Sequence, residues 1–495
     1  MLRSLCAALL VAASAAFAAA APPKLLVVVV VDQMRADYLD RFGPELTGGL
    51  ARLTREGFVF AQARHPFVPT ETAVGHATLL TGRAPSQHGI LGNEWYDREA
   101  GRTVAAADDG AFGQGPQQLL SHTVGDALKS AFPQARVACV SQKDRAAILL
   151  CGKRPDAAVW YDRKTGRLAT SRYYGALPEW AAAVESKRRI DERYAREGGT
   201  GAPTAAYYRE LVYSSFSDSL IVEAAQRSVT ALELGSDETP DLLALSLSAN
   251  DYIGHRHGPD GPEIHDSILA VDAALGGLLE FLDRRVGRYA LILTGDHGVA
   301  RRVDHPQARA AGARALRLDL LPDALDAELR MRLDMRKDSG RLVLDVLGPH
   351  VYLDRRAAAR WGVDHRRLAS EAVEALVARP EVAAAYAADD VIDGRLDGKP
   401  FADVLYRSFH RSRGGEVVFL LKENAQWDFG DSHAVNHGQP YDHDARVPLV
   451  FFGAGIKAGR SEEPVTSLDI APTAAKLLET PFETGAESRP LELPR

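Results

Sequence analysis

Apolar positions along this chain fall into two kinds of run, and the two kinds alternate. Residues 24–31 read Lys-Leu-Leu-Val-Val-Val-Val-Val, and Asp32 follows directly. A continuous β-branched stretch of this kind fits a strand buried on both faces of a parallel sheet. Residues 241–248, Asp-Leu-Leu-Ala-Leu-Ser-Leu-Ser, precede Asp251, and residues 289–294, Tyr-Ala-Leu-Ile-Leu-Thr, precede Asp296 and His297. Residues 447–452 form another short apolar run. Between these runs lie helical patterns at 47–56, 123–131, 218–234 and 264–285. Strands alternating with helices predict an α/β fold, a mostly parallel central sheet with helices on both faces. Functional groups in such sheets gather outside the carboxyl ends of the strands. Asp32, Asp251, Asp296 and His297 are all expected there.

Two stretches break the rhythm. Residues 85–200 carry Trp95, Tyr96, Trp160, Tyr161, Tyr173, Tyr174 and Trp180 among many turn residues, and residues 304–413 are Arg-rich and helical, then irregular. Both are expected to be insertions that cap a single large domain over 24–495. Residues 1–20 read as a signal peptide: Arg3 begins it, an apolar Leu/Ala/Val stretch follows, and Ala16-Phe-Ala18 supplies a small-residue cleavage site. The mature chain is therefore expected to be periplasmic or secreted, with no stable membrane association. A net charge of −7 argues against an electrostatic grip on nucleic acid or anionic membranes. Cys6 leaves with the leader, so Cys139 and Cys151 remain, either as one disulfide or as two buried thiols.

The polar residues carry the chemistry. Asp251 and His255 are four apart, a spacing that puts both on one helical face, and carboxylate plus imidazole suits zinc. Asp296 and His297 are flanked by glycines that permit the sharp turn needed to bring adjacent side chains to one point. His437 lies in a turn-rich segment with His433 and His443 as weaker alternatives, and His257 is a spare. Thr72 lies among Thr70, Thr78 and Thr81, any of which would serve as an ordinary cap. Lys143 and Arg145 are two apart, and an extended backbone there would turn both toward one anion.

Taken together the motifs resemble the alkaline phosphatase superfamily, on its nucleotide pyrophosphatase/phosphodiesterase side. The likeness is greatest to bacterial phosphate-irrepressible alkaline phosphatases with a threonine nucleophile. It runs from Val27 to about Thr473, through Asp32-Gln-Met-Arg, Thr72-Ala-Val-Gly-His76, Asp251-Tyr-Ile-Gly-His255, Gly-Asp296-His297-Gly, His437-Gly-Gln-Pro and Asp469-Ile-Ala-Pro-Thr473. The resemblance implies two zinc ions per chain. Asp251, His255 and His437 would hold one. Asp32, Asp296, His297 and the Thr72 oxygen would hold the other. It implies that Thr72 attacks phosphorus to form a phospho-threonine, which water then hydrolyses with net retention. It also implies that Asn93, Lys143 and Arg145 bind the phosphate oxygens and favour monoesters over diesters.

The expected function is that of an exported alkaline phosphatase, a phosphomonoesterase acting on small phosphate esters. A phosphodiesterase or nucleotide pyrophosphatase on the same metal core is the alternative, and a metal-binding protein without turnover is a third reading. Sulfatases place a modified Cys or Ser at the nucleophile, which position 72 does not offer. Zinc is favoured over manganese or iron without being fixed by the ligands. The natural substrate and the oligomeric state stay open.

Overall fold

The structure is a computed structural model that describes residues 21–336 and 340–495. The expected signal peptide, residues 1–20, lies outside the described residues. Nine strands form the main sheet: β1 (Leu25–Val31), β2 (Phe58–Arg64), β3 (Val137–Ser141), β4 (Ala157–Asp162), β5 (Arg167–Ala169), β6 (Asp241–Leu247), β7 (Tyr289–Thr294), β8 (Leu449–Gly453) and β9 (Gly459–Thr466). Their order is β9-β2-β8-β7-β1-β6-β3-β4-β5. β1 lies at the centre, parallel to both β6 and β7. β3 continues the parallel block beside β6, and β4 beside β3. Only β8 and the edge strand β5 run against their neighbours. The α/β fold expected from the pattern is present.

The hydrophobic run of β1 has a direct reading in the packing. Val27, Val29 and Val31 enter one apolar cluster with Ile264, Ile268 and Leu275 of the long helix Pro262–Arg285. Leu26, Val28 and Val30 enter another on the opposite face, with Leu79, Leu80, Ile148 and Leu150. All seven β1 side chains are fully buried. At about 1.5–3 kcal/mol for each buried Val or Leu, this strand is a major source of sheet stability. A strand buried on both faces needs no alternation, and that is why the run is uninterrupted.

The two expected insertions fare differently. Residues 137–169 are not cap: β3, β4 and β5 belong to the main sheet. The turn residues around them hid short strands, and the side chains of β3 and β4 are almost all buried. Residues within 304–413 do leave the main sheet. Val343–Leu347, His350–Leu353 and Val382–Ala387 join Val417–Leu421 in a separate four-stranded antiparallel sheet with its own apolar core. Cys139 on β3 and Cys151 form a disulfide with Cα atoms 5.7 Å apart, which resolves the choice left open above. No helix among the described residues is long and apolar enough to cross a membrane.

Two buried histidines outside the site report on acid stability. His88 accepts a hydrogen bond from the Ile90 N–H at Nδ1 (3.1 Å), so protonation there would break it. Burial pushes His88 down to about 3 and His350 to about 4. Both stay neutral in the fold, while the unfolded chain takes up protons below about pH 6.5. The stability that these two histidines contribute is therefore fully present above that pH and falls as pH drops toward 4, by about 1.4 kcal/mol per unit for each. Urea midpoints of metal-stripped protein between pH 7 and 5 should isolate this share as a difference, with His88→Asn losing less stability, or gaining more, than wild type over that range.

Candidate metal centre

The strand ends assemble the site. Asp32 follows β1, and Asp296 and His297 lie in the loop just beyond β7. β6 leads into helix α3 (Ala249–His257), which carries Asp251 and His255 on one face as their spacing foretold. Helix α1 (Thr72–Thr81) begins with Thr72, which is almost wholly buried. β3 leads into helix α2 (Asp144–Cys151), whose start carries Lys143 and Arg145. His437 arrives from the loop before β8.

Two groups of side chains close enough to share a metal result. Ligand atoms of Asp32, Asp296 and His297 lie within 4.8 Å of one another, as do those of Asp251, His297 and His437. His255 Nε2 stands 3.2 Å from Asp251 Oδ1, and His437 Nε2 3.8 Å from the same oxygen. The structure thus brings all six expected protein ligands other than Thr72 together, with His297 between the two groups. The imidazoles are oriented alike. Nδ1 of His255 donates to the Val435 carbonyl (2.8 Å), that of His437 to Thr70 (2.7 Å), and that of His297 to Gly298 (2.9 Å). A carbonyl only accepts, so each Nδ1 holds the proton and each Nε2 offers its lone pair inward. Hydrogen bonds of this kind fix the tautomer of metal-ligating histidines.

The polar atoms left over fit divalent ions. Asp32 Oδ1 and His297 Nε2 are buried without hydrogen-bond partners among the described residues, while Asp32 Oδ2 meets the Lys143 ammonium (2.7 Å) and Asp296 Oδ2 meets His76 Nδ1 (3.2 Å). Burial, and then the neighbouring Asp296, pushes Asp32 up to about 6. His437 is held well below its ordinary value by burial and by the His297 and His255 rings, so it stays neutral, the form a metal takes. Burial works against the charge of Asp251, but Lys143 and His255 hold its carboxyl well below the usual range. Three carboxylates with three neutral-capable imidazoles make a donor set suited to zinc.

Lys143 sits at the junction. Its ammonium lies 2.7 Å from Asp32 Oδ2 and 2.6 Å from Asp251 Oδ2, and it donates to Thr72 Oγ1 at 3.2 Å. The local backbone differs from expectation. Lys143 is extended but only as the cap residue, and Arg145 stands in the first turn of α2, so the pair does not share one strand face. The apolar run 146–151 packs as a helix, and that run sets the backbone around Arg145. Arg145 Nε is buried without a hydrogen-bond partner. Asn93 is tied to the start of α1: its Oδ1 accepts from Ala73 N–H (3.0 Å), and its own N–H donates to Glu71 (2.8 Å). Beside it opens a cavity of about 280 Å³ lined by Glu71, Glu94, Asp345, Leu347 and Phe429. Trp95 is buried in local packing and does not reach this cavity.

The model of the type I phosphodiesterase/nucleotide pyrophosphatase family matches residues 26–443. The chain is 30% identical to alkaline phosphatase PafA of Elizabethkingia meningoseptica, over 93% of this chain and 92% of that protein. It is 30% identical to alkaline phosphatase PhoK of a Sphingomonas species, over 91% and 87%. The crystal structure of wild-type PafA superposes with a TM-score of 0.86 at 28% identity, covering 95% of this chain and 98% of that one. Murine ectonucleotide pyrophosphatase/phosphodiesterase 5 superposes at 0.58 with 17% identity, which shows the fold alone. The chain belongs to the type I phosphodiesterase/nucleotide pyrophosphatase family. The expectation of an enzyme with alkaline phosphatases as its near relatives stands.

Sequence reasoning used His76 only as a landmark. In the fold its Nδ1 meets the Thr72 carbonyl (2.8 Å) and lies 3.2 Å from Asp296 Oδ2, while Nε2 meets Ser246 Oγ (2.9 Å). The signal was present as helical spacing, since Thr72 and His76 are four apart. Gly75 explains the close approach: a Cβ there would strike the Asp296 backbone oxygen. Gly75→Ala should push α1 away from the loop after β7 and cost about 1–3 kcal/mol through overpacking. The expected outcome is a lowered urea midpoint together with less bound divalent metal per chain by elemental analysis.

Proposed function

We propose that this chain is an exported phosphomonoesterase that works through a phospho-threonine intermediate at a two-zinc site. The observation that carries the reading is the meeting of Thr72 Oγ1 with Lys143 Nζ inside a buried cluster of metal-suited donors. Asp251, His255 and His437 would hold one ion, and Asp32, Asp296, His297 and the Thr72 oxygen the other. Two such ions, when bound, favour the deprotonated hydroxyl and clamp the attacking and leaving oxygens of an in-line displacement.

This chain's own residues do the rest. α1 fixes Thr72 at its first turn, where the helix N-terminus favours negative charge on the attacking oxygen and on phosphate. Thr72 Oγ forms a bond to phosphorus as the bond to the leaving alkoxide breaks. Water then displaces Thr72, which leaves inorganic phosphate and the free hydroxyl with net retention. Lys143 places a point charge beside Thr72 Oγ1, and the Arg145 guanidinium, whose Nε is buried without a hydrogen-bond partner, suits bidentate contact with non-bridging oxygens. Asn93 has its Oδ1 committed to Ala73, which leaves its amide N–H groups to donate to phosphate. A monoester carries more charge on its non-bridging oxygens than a diester, so it gains more from these donors. The cavity beside Asn93 gives the leaving group room.

The family model's name favours a second reading, a phosphodiesterase or nucleotide pyrophosphatase on the same core. An aryl phosphate monoester compared with the diaryl ester separates the two. The monoester should be turned over faster by orders of magnitude. Lys143→Ala combined with Arg145→Ala should cut that preference by at least about tenfold, since single oxyanion donors are worth about 10²–10³ in rate. An unchanged ratio would refute the assigned role. Thr72→Ala should lose at least about 10³-fold in kcat while folding normally, as expected for loss of a nucleophile. Elemental analysis of the same preparations should find two zinc ions per wild-type chain.

A further inference from the structure

Gln33 is fully buried, and its backbone has φ of +63°, in the left-handed region that a side-chain-bearing residue seldom adopts. Local strain of this sort persists only where the surroundings enforce it. Here the surroundings are the two metal-suited groups. The turn aims the Gln33 backbone N–H at Asp296 Oδ1 (3.0 Å) and the side-chain Nε2 at Asp251 Oδ1 (2.8 Å). Those two carboxylates belong to different groups of ligands. An ionised carboxylate only accepts, so the amide nitrogen must be the end that faces Asp251.

The neighbours are shaped around this residue. Gly254 on α3 has no Cβ, and one placed there would collide with Gln33 Oε1. Asn250 Nδ2 donates to the carbonyl oxygens of Asp32 (3.0 Å) and Gln33 (3.2 Å), which pins the turn from the other side. Asp296 Oδ1 also accepts from His297 N–H (3.0 Å), so two backbone donors occupy that oxygen and leave Oδ2 for a metal. Asp251 has Oδ1 toward the Gln33 amide and Oδ2 toward Lys143. Without the amide, Oδ1 would lose the one neutral donor that sets the plane of the carboxylate against His255 and His437.

We propose that Gln33 is a positioning residue that orients one carboxylate of each metal group from a single strained turn, with its amide serving the Asp251 side and its backbone N–H the Asp296 side. The inference rests on the two-metal reading above and adds an asymmetry to it. Substitution of the side chain should weaken only the Asp251 site, because any residue but proline keeps the backbone N–H.

The test is zinc retention by the full chain under chelator competition, in Gln33→Gly and Gln33→Met. Glycine accepts the left-handed turn without strain and deletes the amide, while methionine keeps the length and removes only the hydrogen bonding. Far-ultraviolet circular dichroism checks that each is folded, and glycine keeps the test valid if methionine is not. The expected result is one zinc ion per chain where wild type retains two, with one site weakened by about 10- to 100-fold, the range for partners that orient metal ligands. The other site should stay within about twofold of wild type. Two ions held as tightly as in wild type would overturn the proposal, and so would equal loss from both sites in a folded variant. Wild-type protein holding fewer than two zinc ions would instead sink the two-metal reading, and this inference with it. That outcome is distinguishable because it involves no substitution.

Discussion

Negative charge that one ammonium only partly offsets is the constraint around which this molecule is organised. Asp32, Asp251 and Asp296 are buried at the ends of the central strands, and the nearest ammonium is that of Lys143. Ligand atoms of Asp32 and Asp296 lie within 4.8 Å of each other. Two like charges at that range repel by about 3–4 kcal/mol at an effective dielectric near 20. Burial adds to the penalty, and the raised Asp32 carboxyl expresses both. A fold that keeps such a cluster dry gains from any divalent cation that enters, because relief of repulsion in the protein becomes affinity for the ion. Metal binding and folding stability are then one quantity seen from two sides.

The central sheet explains how four distant segments arrive together. β1, β6 and β7 run parallel and in close register, so Asp32, the start of α3 and the Asp296 loop emerge at one edge. β3 runs beside β6 in the same direction, and Lys143 emerges at that edge too. The residue proposed to meet the phosphate therefore reaches the site by the same device as the metal-suited residues. Parallel strands place the ends of consecutive segments side by side whatever their separation along the chain.

How much of this was legible in the sequence depended on whether a side chain announced its surroundings. β1, β6 and β7 could be read because strands buried on both faces carry unbroken apolar runs. Asp251 and His255 could be read because helical spacing is local. β3 and β4 were missed and assigned to a cap: five or six residues between turn signals do not distinguish a core strand from a loop. Gln33 and His76 were passed over for a different reason. Their roles lie in contacts with Asp251, Asp296 and Ser246, partners far away in sequence. No periodicity encodes such contacts. The backbone of Arg145 was misjudged because an i, i+2 rule was applied where the following apolar run makes a helix.

The Cys139–Cys151 bridge has a bearing beyond packing. It joins β3 to the end of α2 and so closes a short ring of chain, within which Ser141, Gln142, Lys143 and Arg145 all lie. A covalent loop of about this size removes roughly 3 kcal/mol of conformational freedom from the unfolded chain. Lys143, whose ammonium meets Thr72, and Arg145 are thus carried on a hoop that only an oxidising environment can fasten. The order of the segment proposed to grip phosphate is in this way tied to the oxidation of two thiols.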